Sequence, residues 1–142
     1  MEGEANTHQV GGEHYRALNA QLQHWDLVAE TGMGYFEGQV TRYVARWRRK
    51  AGRQDLEKAL HYCDKLTELV AAGRYPRWTL NVTEALRERA WAAFARFAQE
   101  QQLTRAEQRV FELCISRTSA EDLAWLRAEL GQLLRESEAS VP

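Results

Sequence analysis

Basic side chains recur every four residues in the middle of the chain, with a spacing that suits the binding of phosphate. Arg42, Arg46 and Lys50 fall on one arc of a helix when residues are placed about 100° apart. Arginine forms paired hydrogen bonds with phosphate oxygens, and lysine adds a compact charge. Residues 36–58 hold seven of the 19 Lys and Arg residues, although the formal net charge is −1. This local excess predicts an anion-binding surface.

An apolar arc adjoins the basic arc on the same predicted helix. Its members are Phe36, Val40, Tyr43, Val44 and Trp47. The seam between the two arcs suits a ligand that is flat and apolar at one end and negatively charged at the other, as a nucleotide is. Tyr43 and Trp47 are more often core residues than ligand platforms. Of the two, only Tyr43 is kept as a possible ligand residue, because it lies nearer the basic arc.

The same stretch resembles the signature of a known family. The residues that carry the resemblance are Gly38, Arg42, Tyr43, Arg46, Lys50, the run Asp55-Leu56-Glu57-Lys58-Ala59, Tyr62 and the upstream pair His14-Tyr15. They are similar to the motif of the SaV-like family of small phage proteins, which reads approximately G-N-x-x-K-Y-x-x-R, a basic turn, and D-L-x-K-A-x-x-Y. Gln39 stands where the family usually has Asn, and Arg42 where it usually has Lys. The resemblance covers residues 12–70 and leaves the C-terminal half unexplained.

The resemblance implies a phage origin and nucleotide chemistry, because one family member is known as a deoxynucleoside monophosphate kinase that lacks a P-loop. It makes His14 and Tyr15 candidates for stacking on a base or closing over phosphate, and His14 could also transfer a proton. It adds Asp55 and Lys58 as supporting residues. Asp55 also suits a helix cap or a carboxylate that orients an arginine, and Lys58 a surface charge.

The sequence contains no motif for a familiar catalytic or metal site. No Lys follows a Gly-rich P-loop spacing, and the four His and two Cys residues lack metal-ligand spacing. All-α nucleotide pyrophosphatases hold magnesium with paired E-x-x-E carboxylates, a spacing that is also missing. We therefore expect no metal and no cofactor, and we assign no catalytic residue. Kinase activity would have to depend on positioning and charge stabilisation alone.

Composition and hydropathy indicate a globular protein. With 142 residues, 44% hydrophobic and 27% charged, the chain suits one compact domain or two very small ones. There is no apolar run of about 18 residues and no signal-peptide pattern. We predict no membrane partner and a cytoplasmic protein, which the resemblance places in an infected bacterial host. Cys63 and Cys114 are predicted to be reduced core thiols.

Helical periodicity recurs along the chain, and no strand pair is visible. Helices are predicted at about residues 20–31, through the basic stretch to Lys50, and from Asp55 onward, with a connecting loop at 72–82. Thr83, Thr104-x-x-Glu107 and Thr118-x-x-Glu121 are capping signals for three more helices.

The predicted fold is all-α, a small helical domain with a C-terminal three-helix extension. Its predicted parts are a flexible N-terminal arm at 1–12, a SaV-like nucleotide-binding module at 13–72 and a C-terminal helical region at 83–137.

The predicted function is the binding of a phosphorylated nucleotide in a basic helical cleft. One version sequesters a host nucleotide or a cyclic nucleotide signal as counter-defence, and the other is a (deoxy)nucleoside monophosphate kinase without a P-loop. A third hypothesis is a protein- or nucleic-acid-interaction module, although no specific nucleic-acid partner is expected. We also predict a homo-oligomer, since a small chain with one anion-binding seam could build its pocket between subunits.

Overall fold

The computed structural model describes residues 22–75, 83–116 and 121–139, and these ranges contain six α-helices and no strand. The helices are α1 (His24–Thr31), α2 (Tyr35–Arg46), α3 (Arg53–Ala71), α4 (Glu84–Glu100), α5 (Arg105–Ser116) and α6 (Glu121–Ala139). The predicted all-α fold, with three helices after Thr83, is confirmed. The flexible arm predicted at 1–12 lies outside the described residues, as does Thr118 of the last predicted capping box.

Two of the predicted helix starts are formed by the predicted side chains. The Leu86 N–H donates to Thr83 Oγ1 at 3.3 Å and begins α4. At the start of α5, the Glu107 N–H donates to Thr104 Oγ1 at 3.2 Å, and the Thr104 N–H donates to Glu107 Oε1 at 2.8 Å. This reciprocal pair is a capping box, which satisfies N–H groups that have no partner within the helix.

The helix α2 ends at Arg46, so the predicted end near Lys50 is wrong. From Trp47 to Gly52 the chain forms hydrogen-bonded turns, in which the Lys50 N–H donates to the Arg46 carbonyl at 3.0 Å and the Gly52 N–H to the Trp47 carbonyl at 2.9 Å. Gly52 has a φ of 60°, a value that favours glycine. Periodicity did not reveal this end, because the basic residues continue the helical spacing into the turn.

The larger unit of the fold contains α2, α3, α5 and α6. The helices α2 and α3 form an antiparallel hairpin, and α6 runs antiparallel to α3, with ion pairs from Arg53 to Glu138 and from Asp64 to Arg127. Cys63 and Cys114 are buried, and they form no disulfide. Its buried apolar residues include Val40, Val44, Leu56, Ala59, Cys63, Leu66, Val110, Phe111, Cys114, Ile115, Leu123, Leu126, Leu130 and Leu133.

The smaller unit contains α1 and α4. Its buried apolar residues include Leu22, Leu27, Phe94, Phe97 and Ala98. The Leu22 N–H donates to Glu100 Oε1 at 2.7 Å, which ties the start of α1 to the end of α4.

This grouping of helices differs from the predicted division of the chain at 13–72 and 83–137. The helix α1 belongs with α4, while α5 and α6 complete the core of the α2–α3 hairpin. The three C-terminal helices are therefore present, but they do not form one separate bundle. Periodicity finds the apolar face of each helix and does not show which faces meet.

Candidate functional site

Three cationic side chains surround the ring of Tyr43 on the α2–α3 hairpin. The guanidinium carbons of Arg42 and Arg46 lie 5.7 and 4.9 Å from the ring centroid, and Lys58 Nζ lies 5.5 Å from it. Cations within about 6 Å of an aromatic centroid are attracted by the ring quadrupole. Helical spacing places both arginines beside Tyr43 on α2, and the hairpin brings Lys58 from α3.

Tyrosine rings extend this surface away from the cations. Tyr62 stacks on Tyr43, with centroids 5.9 Å apart and an interplanar angle of 17°, and Tyr35 meets Tyr62 edge-on at 6.2 Å. A hydrogen bond between the Tyr62 and Tyr35 hydroxyls, aided by burial, raises the pKa of Tyr62. The Tyr62 phenol therefore stays neutral at physiological pH. We call the set Tyr35, Arg42, Tyr43, Arg46, Lys58 and Tyr62 the basic–aromatic cluster.

Arg46 is held by a buried carboxylate. Its Nε and Nη2 donate to Asp55 Oδ2 and Oδ1, both at 3.3 Å, and Asp55 also accepts the Ala51 N–H at 3.1 Å. Asp55 is fully buried, whereas the Arg46 side chain is 32% exposed. Asp55 thus pairs with an arginine, one of the roles predicted for it, and it also lies in the first turn of α3.

The other two cations of the cluster have no acidic partner among the described residues. Arg42 and Lys58 are exposed and form no ion pair with any residue in 22–75, 83–116 or 121–139. Lys50 is also exposed, in the turn after α2, and is not one of the cations beside Tyr43. The sequence predicted phosphate contacts at Arg42, Arg46 and Lys50. The structure brings the first two to Tyr43 together with Lys58, which was predicted only as a supporting residue.

Trp47 and Arg48 point to a different partner. The Trp47 Nε1–H donates to Glu107 Oε2 at 2.7 Å, and Arg48 donates to both oxygens of Glu107, from Nε at 3.1 Å and Nη2 at 2.8 Å. Arg48 is not part of the basic arc of Arg42, Arg46 and Lys50, and it pairs with Glu107 while its side chain stays 44% exposed. The sequence carries no signal for this pairing, because the residues lie about sixty positions apart.

Two residues of the cluster are missing from the predicted ligand set. Tyr62 belongs to the family motif, and Tyr35 directly precedes Phe36, but neither was a ligand candidate. Their place beside Tyr43 follows only once α2 and α3 fold antiparallel. The predicted residues His14 and Tyr15 lie outside the described residues.

Two further features, a group of metal-ligating side chains and a membrane-spanning helix, are absent from the described ranges. No group of three or more His, Cys, Asp and Glu side chains among them could hold a metal ion. None of the helices described is both long and apolar enough to cross a membrane.

Comparison of the chain with protein-family models, curated proteins and solved structures gives no match. The resemblance to the SaV-like family therefore stays a prediction that depends on its motif residues. The geometry of the cluster indicates its chemistry. Its cations can hold an anion, and the stacked rings next to them can hold a flat apolar group.

Proposed function

We propose that the basic–aromatic cluster binds a nucleotide, with phosphate at Arg42 and Lys58 and the base against the tyrosine rings. The supporting observation is the convergence of three cations on Tyr43, at 5.7, 4.9 and 5.5 Å, while only Arg46 has a carboxylate partner among the described residues. Two charges without a carboxylate partner in the described part of the chain, beside stacked rings, favour a ligand that joins an anion to an aromatic group.

Arg46 supports the phosphate from a fixed position. Its two hydrogen bonds to Asp55 are both 3.3 Å long. A guanidinium has about five N–H donors, and these two bonds use only part of them. The guanidinium therefore keeps donors for a ligand oxygen. Lys50 adds charge from the turn, and His14 and Tyr15 take the supporting roles that the family resemblance implies.

The protein in this proposal is a phage protein that sequesters a host nucleotide or a cyclic nucleotide signal. The groups in the cluster are cations and rings, which suit the binding of an anion that is joined to an aromatic group. A nucleoside monophosphate kinase is the second candidate. Convergence of Arg42, Arg46 and Lys58 favours it, because phosphoryl transfer is accelerated mainly by positioning and charge stabilisation.

A depletion experiment separates the two candidates. Pure protein is incubated with mono-, tri- and cyclic nucleotides, with and without ATP, and both the filtrate and the heat-released material are chromatographed. Depletion followed by intact recovery supports sequestration, and a converted nucleotide supports the kinase. A panel in which nothing is depleted or converted would overturn nucleotide binding.

Single substitutions test the placement of the phosphate. Arg42→Ala and Lys58→Ala should each weaken nucleotide binding about tenfold, because each removes a charge-assisted contact. Arg127→Ala is the matched control, since Arg127 is also exposed but pairs with Asp64 on the α3–α6 side of the fold. Equal affinities in all three variants, measured by calorimetry, would contradict the placement.

Salt dependence distinguishes the interaction-module hypothesis. Binding to a nucleic acid would weaken steeply with salt and would depend little on base identity. A nucleotide site built on stacked tyrosines discriminates among small ligands at constant salt.

A further inference from the structure

Glu107 holds the turn that follows the phosphate-binding helix. Its carboxylate is fully buried and accepts four hydrogen bonds, from the Trp47 indole at 2.7 Å, from Arg48 at 3.1 and 2.8 Å, and from the Thr104 N–H at 2.8 Å. Three of these four donors come from the two residues directly after Arg46. One side chain of α5 thus fixes the point at which α2 ends.

A helix end needs such an anchor if its side chains are to keep one position. The last carbonyl groups of a helix have no partner within it, and helix termini fray. A buried ion pair is weak evidence for added stability, because desolvation opposes the attraction between the charges. The directions of its hydrogen bonds, however, favour one arrangement of the side chains that take part. Here those side chains belong to Trp47 and Arg48, and the backbone at Arg46 directly precedes them.

The anchored turn is connected to Arg46 a second time. The Arg46 carbonyl accepts the N–H groups of Arg49 and Lys50 at 2.9 and 3.0 Å, and the Ala51 N–H donates to Asp55, which holds the Arg46 guanidinium. The turn therefore bonds directly to the Arg46 carbonyl, and it is linked to the Arg46 side chain through Asp55 of α3.

We propose that Glu107 is a positioning residue for the phosphate end of the nucleotide site, acting through Trp47 and Arg48 without touching the ligand. This inference depends on the proposed function, because it assigns a cause to the placement of Arg46 in that site. It also assigns a role to Arg48, the arginine that lies off the basic arc.

The test compares the affinity for a nucleotide with the affinity for the corresponding nucleoside. Glu107→Gln keeps the side-chain size, but its amide brings donors toward Trp47 and Arg48, which are themselves donors. We expect it to weaken nucleotide binding about tenfold and to leave nucleoside binding nearly unchanged. General destabilisation would lower both affinities together, so the ratio isolates positioning of the phosphate.

Arg48 supplies a second route to the same answer if Glu107→Gln does not fold. Arg48→Ala should lower the nucleotide-to-nucleoside ratio, and Arg48→Lys should recover part of it, because lysine keeps the charge without the planar fork. Glu129→Gln is the control, since Glu129 is also a carboxylate paired with an arginine of α5, Arg109, at 3.0 Å.

Each outcome decides the matter. A lowered ratio in the Glu107 or Arg48 variants, with an unchanged ratio in the control, supports the proposal. If the wild-type protein binds the nucleotide and every variant has the same nucleotide-to-nucleoside affinity ratio, the positioning role is overturned and the proposed function stays intact. No binding by the wild-type protein overturns both.

Discussion

The cations of the basic–aromatic cluster differ in whether a carboxylate partner orients them. Arg46 is oriented by the buried Asp55, whereas Arg42 and Lys58 point their charge at Tyr43 with no carboxylate partner among the described residues. The basic spacing alone predicted Arg42 and Arg46. It did not predict Lys58 as an equal member, because Lys58 lies sixteen positions after Arg42 and reaches Tyr43 from another helix.

Replacing Asp55 tests this difference at the residue scale. Asp55→Asn removes the charge that receives Arg46 and the Ala51 N–H, and its amide cannot accept all of these bonds. We expect a loss of about 2–3 kcal/mol in the free energy of unfolding, measured by urea denaturation.

Asp64→Asn is the matched control for that change. Asp64 also pairs with an arginine, at 2.8 Å, but its side chain is 48% exposed. The control should cost less than about 1 kcal/mol, because exposed ion pairs contribute little. Equal losses in the two variants would show that burial of Asp55 does not set its contribution.

At the scale of elements, the start of each helix was easier to predict than the end of α2. Thr83 and the pair Thr104 and Glu107 are local signals, and their caps form as predicted. The two residues that follow Arg46 donate hydrogen bonds to Glu107, which belongs to another helix. The capping role of Glu107 could be predicted from the sequence, because Thr104 lies three residues before it. Its contacts with Trp47 and Arg48 could not be predicted, because those residues lie about sixty positions away along the chain.

Two glycine-to-alanine substitutions are predicted to change the stability of the protein in opposite directions. Gly52 has a φ of 60°, so Gly52→Ala should destabilise the protein by about 1–2 kcal/mol, although no atom lies within 4 Å of the added Cβ. Gly131 lies inside α6, and its added Cβ would meet Arg135 Nη1 at an ordinary 3.6 Å. Gly131→Ala should therefore stabilise by about 0.5–1 kcal/mol.

Thermal unfolding of the two alanine variants provides the measurement. The transition midpoint should fall for Gly52→Ala and rise for Gly131→Ala. A shared direction of change would contradict the backbone argument, since the two substitutions add the same methyl group.

At the scale of the whole molecule, each unit is assembled from segments that are distant in the chain. The smaller unit takes α1 and α4, and the larger takes α2 and α3 together with α5 and α6. The sequence supplied the helices and the all-α class, but it placed α1 with the hairpin and the last three helices together. The pairing of helices depends on how well their apolar faces fit together. The leucines of α6 do not indicate in the sequence which helix they pack against.

Fragments test this assembly. A chain ending at residue 75 keeps the α2–α3 hairpin and loses the core residues Phe111, Leu126 and Leu130, all at most 1% exposed in the whole chain. Helices without a covering layer are marginal in water, so we expect weak, non-cooperative unfolding by circular dichroism. Adding a second fragment, 83–142, should restore helical signal. A sharp transition in the first fragment alone would contradict the need for α5 and α6.

Because each unit combines two separate segments of the chain, the order of translation determines when each unit can fold. The apolar face of α1 is translated early, but its partner α4 ends only at Glu100. The hairpin waits longer, because α6 ends at Ala139. A nascent chain therefore presents unburied apolar surface until α4 and α6 have emerged, and neither unit closes before its distant segment is translated.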